Sequence, residues 1–183
     1  MQIKNKYNLY KEVIKSGQRK TLRDDGVFLP ISATSELEIF TVDKGIIPNN
    51  IQNQKKCDFF VYNSKMNTSN FIELKTGELE YACDQIHDTI AFFENDDFLK
   101  IYLDNIDLVR GYVVSPSKIV PNIYNTHVKK TCRKLYNKSK KKDLDLFKYL
   151  IFVCCVSKIP GQHQNTQINN RQILVSNNNP LNL

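Results

Sequence analysis

No run in this 183-residue sequence approaches the roughly 20 consecutive apolar residues that a membrane-spanning helix needs. Met1-Gln2-Ile3-Lys4-Asn5-Lys6 leads into a polar segment without a signal-peptide core. Cysteine is sparse and unorganised: the five residues, at 57, 83, 132, 154 and 155, include no CxxC pair and no Cys/His grouping with zinc-ligand spacing. They read as reduced, mostly buried thiols. Histidine is rarer still, and His87, His127 and His163 are too scattered for a histidine-rich metal site. There is no P-loop, so nucleotide hydrolysis would need a partner, and there is no internal repeat. The expectation from these absences is a soluble, cytoplasmic protein with no membrane partner.

What is present is enough for one domain with a proper core, and short for two. The hydrophobic fraction is 41%, ordinary for a globular chain. The net charge of +7 is informative once located. Between His127 and Lys142 lie Lys129, Lys130, Arg133, Lys134, Lys138, Lys140, Lys141 and Lys142, with no acid among them. Those eight charges exceed the whole surplus, so the rest of the chain is close to neutral and the basicity is a patch. Such a patch suits a polyanion such as nucleic acid, with Lys129, Lys130, Arg133 and Lys134 as the candidate contacts. A solvated helix face is the alternative reading.

Along the chain, Asn5 to Arg19 reads as a short helix, with Tyr7, Tyr10, Val13 and Ile14 at helical spacing. Leu22 to Ile31, with Asp25-Gly26 and Pro30, reads as turn and irregular chain. Glu36 to Val42 alternates polar and apolar, as a half-buried strand does. Cys57–Tyr62 and Asn70–Lys75 are two β-rich runs whose polar linker is short enough for a hairpin. Leu79 to about Leu99 is helical, with an apolar stripe of Ala82, Ile86, Ile90 and Phe93. A strand at Leu108–Val114, a basic helix at about 125–141 and a buried strand within Leu146–Val156 follow. Beyond Pro160-Gly161 the chain is a polar tail apart from Ile173-Leu174-Val175. This order indicates a single mixed α/β domain over residues 1–183: a core at about 5–114, a basic helix and extra strand at 125–156, and the tail at 160–183.

The chemistry concentrates in Lys56-Cys57-Asp58-Phe59-Phe60-Val61 and Phe71-Ile72-Glu73-Leu74-Lys75. Alternation along a strand puts Glu73 and Lys75 on one face, about 6.7 Å apart, with Ile72 and Leu74 on the other. If the two runs pair as a hairpin, Asp58 lies opposite or diagonal to them in any register that keeps all three on one face. Two carboxylates, helped by the Leu74 main-chain carbonyl, offer hard oxygen ligands to Mg²⁺. A bound divalent ion lowers the pKa of a water and neutralises charge growing on a phosphate, while Lys75 positions the attacking water and offsets the anion.

At these residues the chain resembles the PD-(D/E)XK nuclease superfamily, which combines an acid on one strand with Glu-x-Lys or Asp-x-Lys on the next; here these are Asp58 and Glu73-Leu74-Lys75. The resemblance implies a restriction-endonuclease-like α/β core of helix, three strands, helix and strand, with a mixed central sheet and C-terminal helix and strand additions. It implies further a metal-ligating acid on the first helix, where Glu12 falls, and a glutamine on the helix after the lysine strand, matched by Gln85. Cys57 stands where the named pattern has proline. The implied activity is Mg²⁺-dependent endonuclease cleavage of DNA, or less often RNA, with Mn²⁺ able to substitute. The catalytic set would be Asp58, Glu73, Lys75 and Gln85, with Asp58, Glu73 and Glu12 toward the metal. Cutting both strands of a duplex needs two active sites, so a homodimer or a place in a larger complex is expected. Restriction, other phage defence, recombination and repair all use such enzymes. Two readings compete with the enzyme: a non-catalytic nucleic-acid-binding or assembly subunit on the same fold, and a merely structural ion pair on the sheet.

Overall fold

A computed structural model describes residues 6–48, 54–116, 120–122, 124–155, 167–169 and 172–183, for 167–169 the backbone only. In chain order the strands are β1 (Lys11–Ile14), β2 (Arg19–Asp24), β3 (Val27–Ser32), β4 (Leu37–Thr41), β5 (Phe59–Asn63), β6 (Thr68–Leu74), β7 (Leu108–Ser115), β8 (Leu150–Cys155), β9 (Gln167–Asn169), β10 (Gln172–Val175) and β11 (Leu181–Asn182). Helix α1 (Leu79–Asn95) lies between β6 and β7, and α2 (Thr126–Lys138) between β7 and β8. The architecture is mixed α/β.

Eight strands form one mixed sheet in the order β1-β4-β5-β6-β7-β8-β10-β9. From β1 through β6 the neighbours are antiparallel, while β7, β8 and β10 continue from β6 in parallel. The parallel steps require crossovers, and α1 and α2 supply the first two. Both pack on one face of the sheet, where Phe40, Phe60, Phe71, Val113 and Phe152 meet Ala82, Ile86, Ile90 and Phe93 of α1 and Val128, Cys132 and Leu135 of α2. The predicted stripe of α1 is therefore its core face, each of the four residues fully buried. A second sheet, in the order β11-β3-β2, covers the opposite face. There Leu22, Leu29, Ile31 and Leu181 pack on Ile39, Val61, Ile72, Leu74, Val114 and Val153. The central sheet is thus buried on both faces, which explains why β8 reads as a continuous apolar run rather than an alternating one.

Three sequence expectations are corrected here. The stretch read as a helix over 5–19, with Glu12 on it, holds one 3-10 turn (Asn8–Tyr10), then β1, then the start of β2; Asn5 itself lies outside the described residues. Its apolar spacing mimics a helix, but no continuous face is buried: Tyr7 and Ile14 are inside, while Tyr10 is 40% and Val13 45% exposed. A short helix without a buried stripe has little tertiary support, and the β-branched Val13-Ile14 pair instead extends along β4. The stretch Leu22–Ile31, read as irregular, is the β2–β3 hairpin. Asp25 and Gly26, with φ of 42° and 77°, form its two-residue turn. Counting from the closing Asp24–Val27 pair, Thr21–Pro30 falls on a rung that exchanges no hydrogen bonds, so proline's missing N–H costs β2 and β3 nothing. The polar tail is not a tail where it is described: β10 joins the main sheet beside β8, and β11 pairs with β3. The Pro160-Gly161 break, and Val156 at the end of the apolar run, lie outside the described residues.

Smaller expectations stand. The five cysteines are free and buried. Among the described residues no helix is long and apolar enough to cross a membrane.

Candidate active site

The β5–β6 hairpin sets the register on which the site depends. Phe59 pairs with Ile72 as the last rung, and the Asp58 N–H also donates to the Ile72 carbonyl at 3.1 Å while the Asp58 carbonyl accepts the Val42 N–H at 2.8 Å, a bulge-like irregularity that sets Asp58 beside the end of β6. Phe60 and Phe71 point into the helix-side core, and alternation along β6 places Glu73 and Lys75 on that same side, while Asp58 reaches them from the irregular residue just before β5. The hairpin runs out there: Asp58 precedes β5, and Glu73 and Lys75 straddle the carboxyl end of β6. Open α/β sheets commonly present their ligands at that end.

Asp58 and Glu73 are buried, at 7% and 1% exposed. One Asp58 carboxylate oxygen accepts the Leu74 N–H at 2.7 Å. Glu73 Oε1 lies 3.9 Å from Lys75 Nζ, while its Oε2 has no hydrogen-bond partner among the described residues. Lys75 is held at 3.3 Å by Gln85 Oε1, and Gln85 is itself fixed by donating to the Lys56 carbonyl at 2.9 Å. Tyr81 lies below the Lys75 ammonium, 5.3 Å to the ring centroid. Glu73, Lys75 and Gln85 are therefore linked by direct contacts, and Asp58 joins them through the Leu74 N–H between Glu73 and Lys75.

The electrostatics follow from burial. Loss of water raises the Asp58 pKa to about 7, against the Leu74 N–H, which lowers it; Asp24 and Asp43 add repulsion and Lys75 offsets it. Glu73 is pushed higher still, first by burial and then by Asp58, with Lys75 opposing. Asp24 and Asp43 were not foreseen. Asp24 ends β2 and comes within hydrogen-bonding reach of Asp58, although the two are 34 positions apart. Asp43 follows β4 and pairs with Lys56 at 3.0 Å. The local signal at Asp24 was a turn, Asp24-Asp25-Gly26, and nothing in it announces which other elements the turn meets. Glu12 stands apart: on edge strand β1 it forms an ion pair with Lys20 and is not among the main charges acting on Asp58 or Glu73.

Cys57 has a structural job that accounts for its place in the motif. Its N–H donates to Thr89 Oγ1 at 2.8 Å, and that hydroxyl donates to the Gln85 carbonyl at 2.8 Å. Proline at 57 would lose the first bond. Burial raises the Cys57 thiol well above its ordinary range, which keeps it inert.

Next to this cluster, Asp84 of α1 accepts from Lys55 at 2.7 Å and meets His127 Nδ1 of α2 at 2.8 Å. Both partners hold the Asp84 carboxyl below its ordinary pKa, against the opposing effect of burial. Of the predicted nucleic-acid contacts, Lys129, Lys130 and Arg133 are exposed on α2. Lys134 instead pairs with Glu94 of α1, which also takes Lys138, and both lysines hold the Glu94 carboxyl down against burial.

Comparison of the chain with protein-family models, curated proteins and solved structures finds no match in any of the three.

Toward a metal, the donor set is two carboxylates. Among the described residues no group of three or more Asp, Glu, His and Cys side chains is placed to hold an ion unaided. That fits a cation which keeps most of its water and takes one or two carboxylates, as Mg²⁺ does, and not a closed zinc-like cage. The unpartnered Glu73 Oε2, buried beside a second carboxylate, is the atom such a cation would satisfy.

Proposed function

We propose that this chain is a divalent-cation-dependent nuclease of the PD-(D/E)XK type that hydrolyses phosphodiester bonds, in DNA before RNA. The observation that carries the reading is the pair Asp58 and Glu73, buried together at the end of the β5–β6 hairpin with one carboxylate oxygen left unpaired and Lys75 at its side. Burying two acids without full compensation costs free energy, and a cation site is a physical reason for the arrangement. The succession β4, β5, β6, α1, β7 supports the reading, since it is the order the resemblance implies after its first helix. The missing first helix takes Glu12 out of the proposed ligand set.

Asp58 and Glu73 would hold Mg²⁺, or Mn²⁺ in its place. When bound, the ion supplies a water of lowered pKa and positive charge against the phosphate. Lys75, anchored by Gln85, orients the attacking water and stabilises the charge that develops on the phosphate oxygens. Gln85 positions Lys75 and does not touch the substrate. Exposed Lys129, Lys130 and Arg133 bring the polyanion in. A homodimer or a larger assembly would supply the second site for duplex cutting.

One observation favours the non-catalytic alternative: among the described residues no third His, Cys, Asp or Glu side chain joins the pair as a metal ligand. Incubation with supercoiled, linear, branched and single-stranded DNA and with RNA, in Mg²⁺ or in EDTA, separates the two. Cleavage of at least one substrate in Mg²⁺ and none in EDTA is expected. Intact substrates throughout, in Mn²⁺ as well, would leave the chain a binding subunit.

A further inference from the structure

Helix α2 divides cleanly into two faces. Val128, Thr131, Cys132 and Leu135 are buried against the sheet and α1. On the opposite side, at the same spacing of three and four, Thr126, Lys129, Lys130, Arg133, Lys134 and Asn137 line a cleft of about 410 Å³, flanked by His87 of α1. Lys134 is neutralised by Glu94. Lys129, Lys130 and Arg133 are exposed, and no ion pair among the described residues involves them.

Tyr124 also lines this cleft and is 72% exposed. Lys129 Nζ sits 4.9 Å from its ring centroid, and exposure of that extent leaves part of the ring surface open. A duplex presents phosphates to such a surface and keeps its bases stacked inside. An unpaired strand presents both, and an aromatic ring among cations is the arrangement that takes both. A chain of contacts links the residue after Thr126, at the cleft's edge, to the carboxylate site. His127, one residue past the start of α2, meets Asp84, and the next residue on α1, Gln85, holds Lys75.

We propose that the α2 cleft binds single-stranded nucleic acid, stacking a base on Tyr124 and seating the adjoining phosphates on Lys129, Lys130 and Arg133. The proposal rests on nucleic acid being the substrate of the carboxylate site, and it names the strand form delivered there.

Fluorescence anisotropy in EDTA tests it with four labelled probes of equal length: oligothymidine DNA, oligouridine RNA, an abasic DNA strand and a DNA duplex. The two base-bearing single strands are expected to bind more tightly than the abasic strand and the duplex, and the tighter of the two identifies the sugar preferred. Tyr124→Ala is expected to weaken the base-bearing strands about tenfold, the scale of one base–aromatic stack, and to leave the abasic strand unchanged. Tyr124→Phe should restore wild-type binding. Lys130→Ala with Arg133→Ala should weaken all four probes and flatten the salt dependence. Equal affinity for all probes with no effect of Tyr124→Ala, or no binding at all, would overturn the proposal. Because EDTA removes the cation, such a result leaves metal-dependent cleavage standing. A chain that binds single strands as described but cleaves nothing in Mg²⁺ would instead sink the nuclease reading alone.

Discussion

At the scale of single residues, the physics centres on Asp58 and Glu73, two acids held out of water beside each other. An acid that keeps its proton more tightly when folded contributes stability that is complete below its ordinary pKa and is lost as pH rises through its folded value. For Asp58 that window runs from 3.8 to about 7, and for Glu73 it extends further up. In EDTA, the urea midpoint is therefore expected to fall from mildly acidic to mildly alkaline pH, by on the order of 1–3 kcal/mol in stability. Asp58→Asn with Glu73→Gln should flatten that slope and raise the midpoint at neutral pH, since the amide oxygen introduced at position 58 still accepts the Leu74 N–H. Millimolar Mg²⁺ should raise the wild-type midpoint and leave the double variant unmoved, as expected for a ligand that binds only the folded state. A slope unchanged by the double substitution would mean that other groups carry it.

At the scale of elements, the helices are seated by close approach. A Cβ added at Gly111 of β7 would lie 2.9 Å from Leu150 Cδ1 and 3.2 Å from both Ile86 Cγ2 and Leu135 Cδ1. One position thus meets β8, α1 and α2. Gly111→Ala is expected to destabilise by about 1–3 kcal/mol through overpacking, read as a lower urea midpoint with an unchanged slope. A midpoint equal to wild type would mean that the helices sit further from the sheet. Helix α1 and strand β4 were legible in the sequence, because the apolar spacing of the one and the alternation of the other report burial directly. Residues 5–19 were not, since Tyr7, Tyr10, Val13 and Ile14 carry a helical spacing that no helix buries. Pro30 masked the β2–β3 hairpin, although its rung needs no N–H. The short strands β10 and β11 draw their support from β8 and β3, which no local pattern reveals. The site divides in the same way. Asp58, Glu73, Lys75 and Gln85 come from one hairpin and the helix after it, and their spacing could be read. Asp24 and Asp43 arrive through tertiary packing, and their local sequence shows only a turn and a loop.

Across the whole molecule, basic and acidic side chains gather in different places. Lys129, Lys130 and Arg133 are exposed on the outer face of α2, whereas Asp24, Asp43, Asp58 and Glu73 gather where β4 and β6 end and β5 begins. Burial makes Asp58 and Glu73 hold their protons more tightly than free acids, and Lys44 and Lys56 lie against Asp43 and Lys75 beside Glu73. A divalent cation binding there would favour the ionised carboxylates, so its binding would release protons from the pair. The central claim is that this carboxylate pair with Lys75 is a hydrolytic centre. Its most direct test is single-turnover cleavage of the best nucleic-acid substrate in Mg²⁺ by wild type, Glu73→Gln and Lys75→Ala, alongside their thermal melts. Both variants are expected to lose at least two orders of magnitude in rate, the scale set by removing a positioned electrostatic or proton-transfer group. Glu73→Gln should melt no lower than wild type. Wild-type rates in both variants, or a Lys75→Ala protein that melts far below wild type, would show the trio to be a structural ion pair.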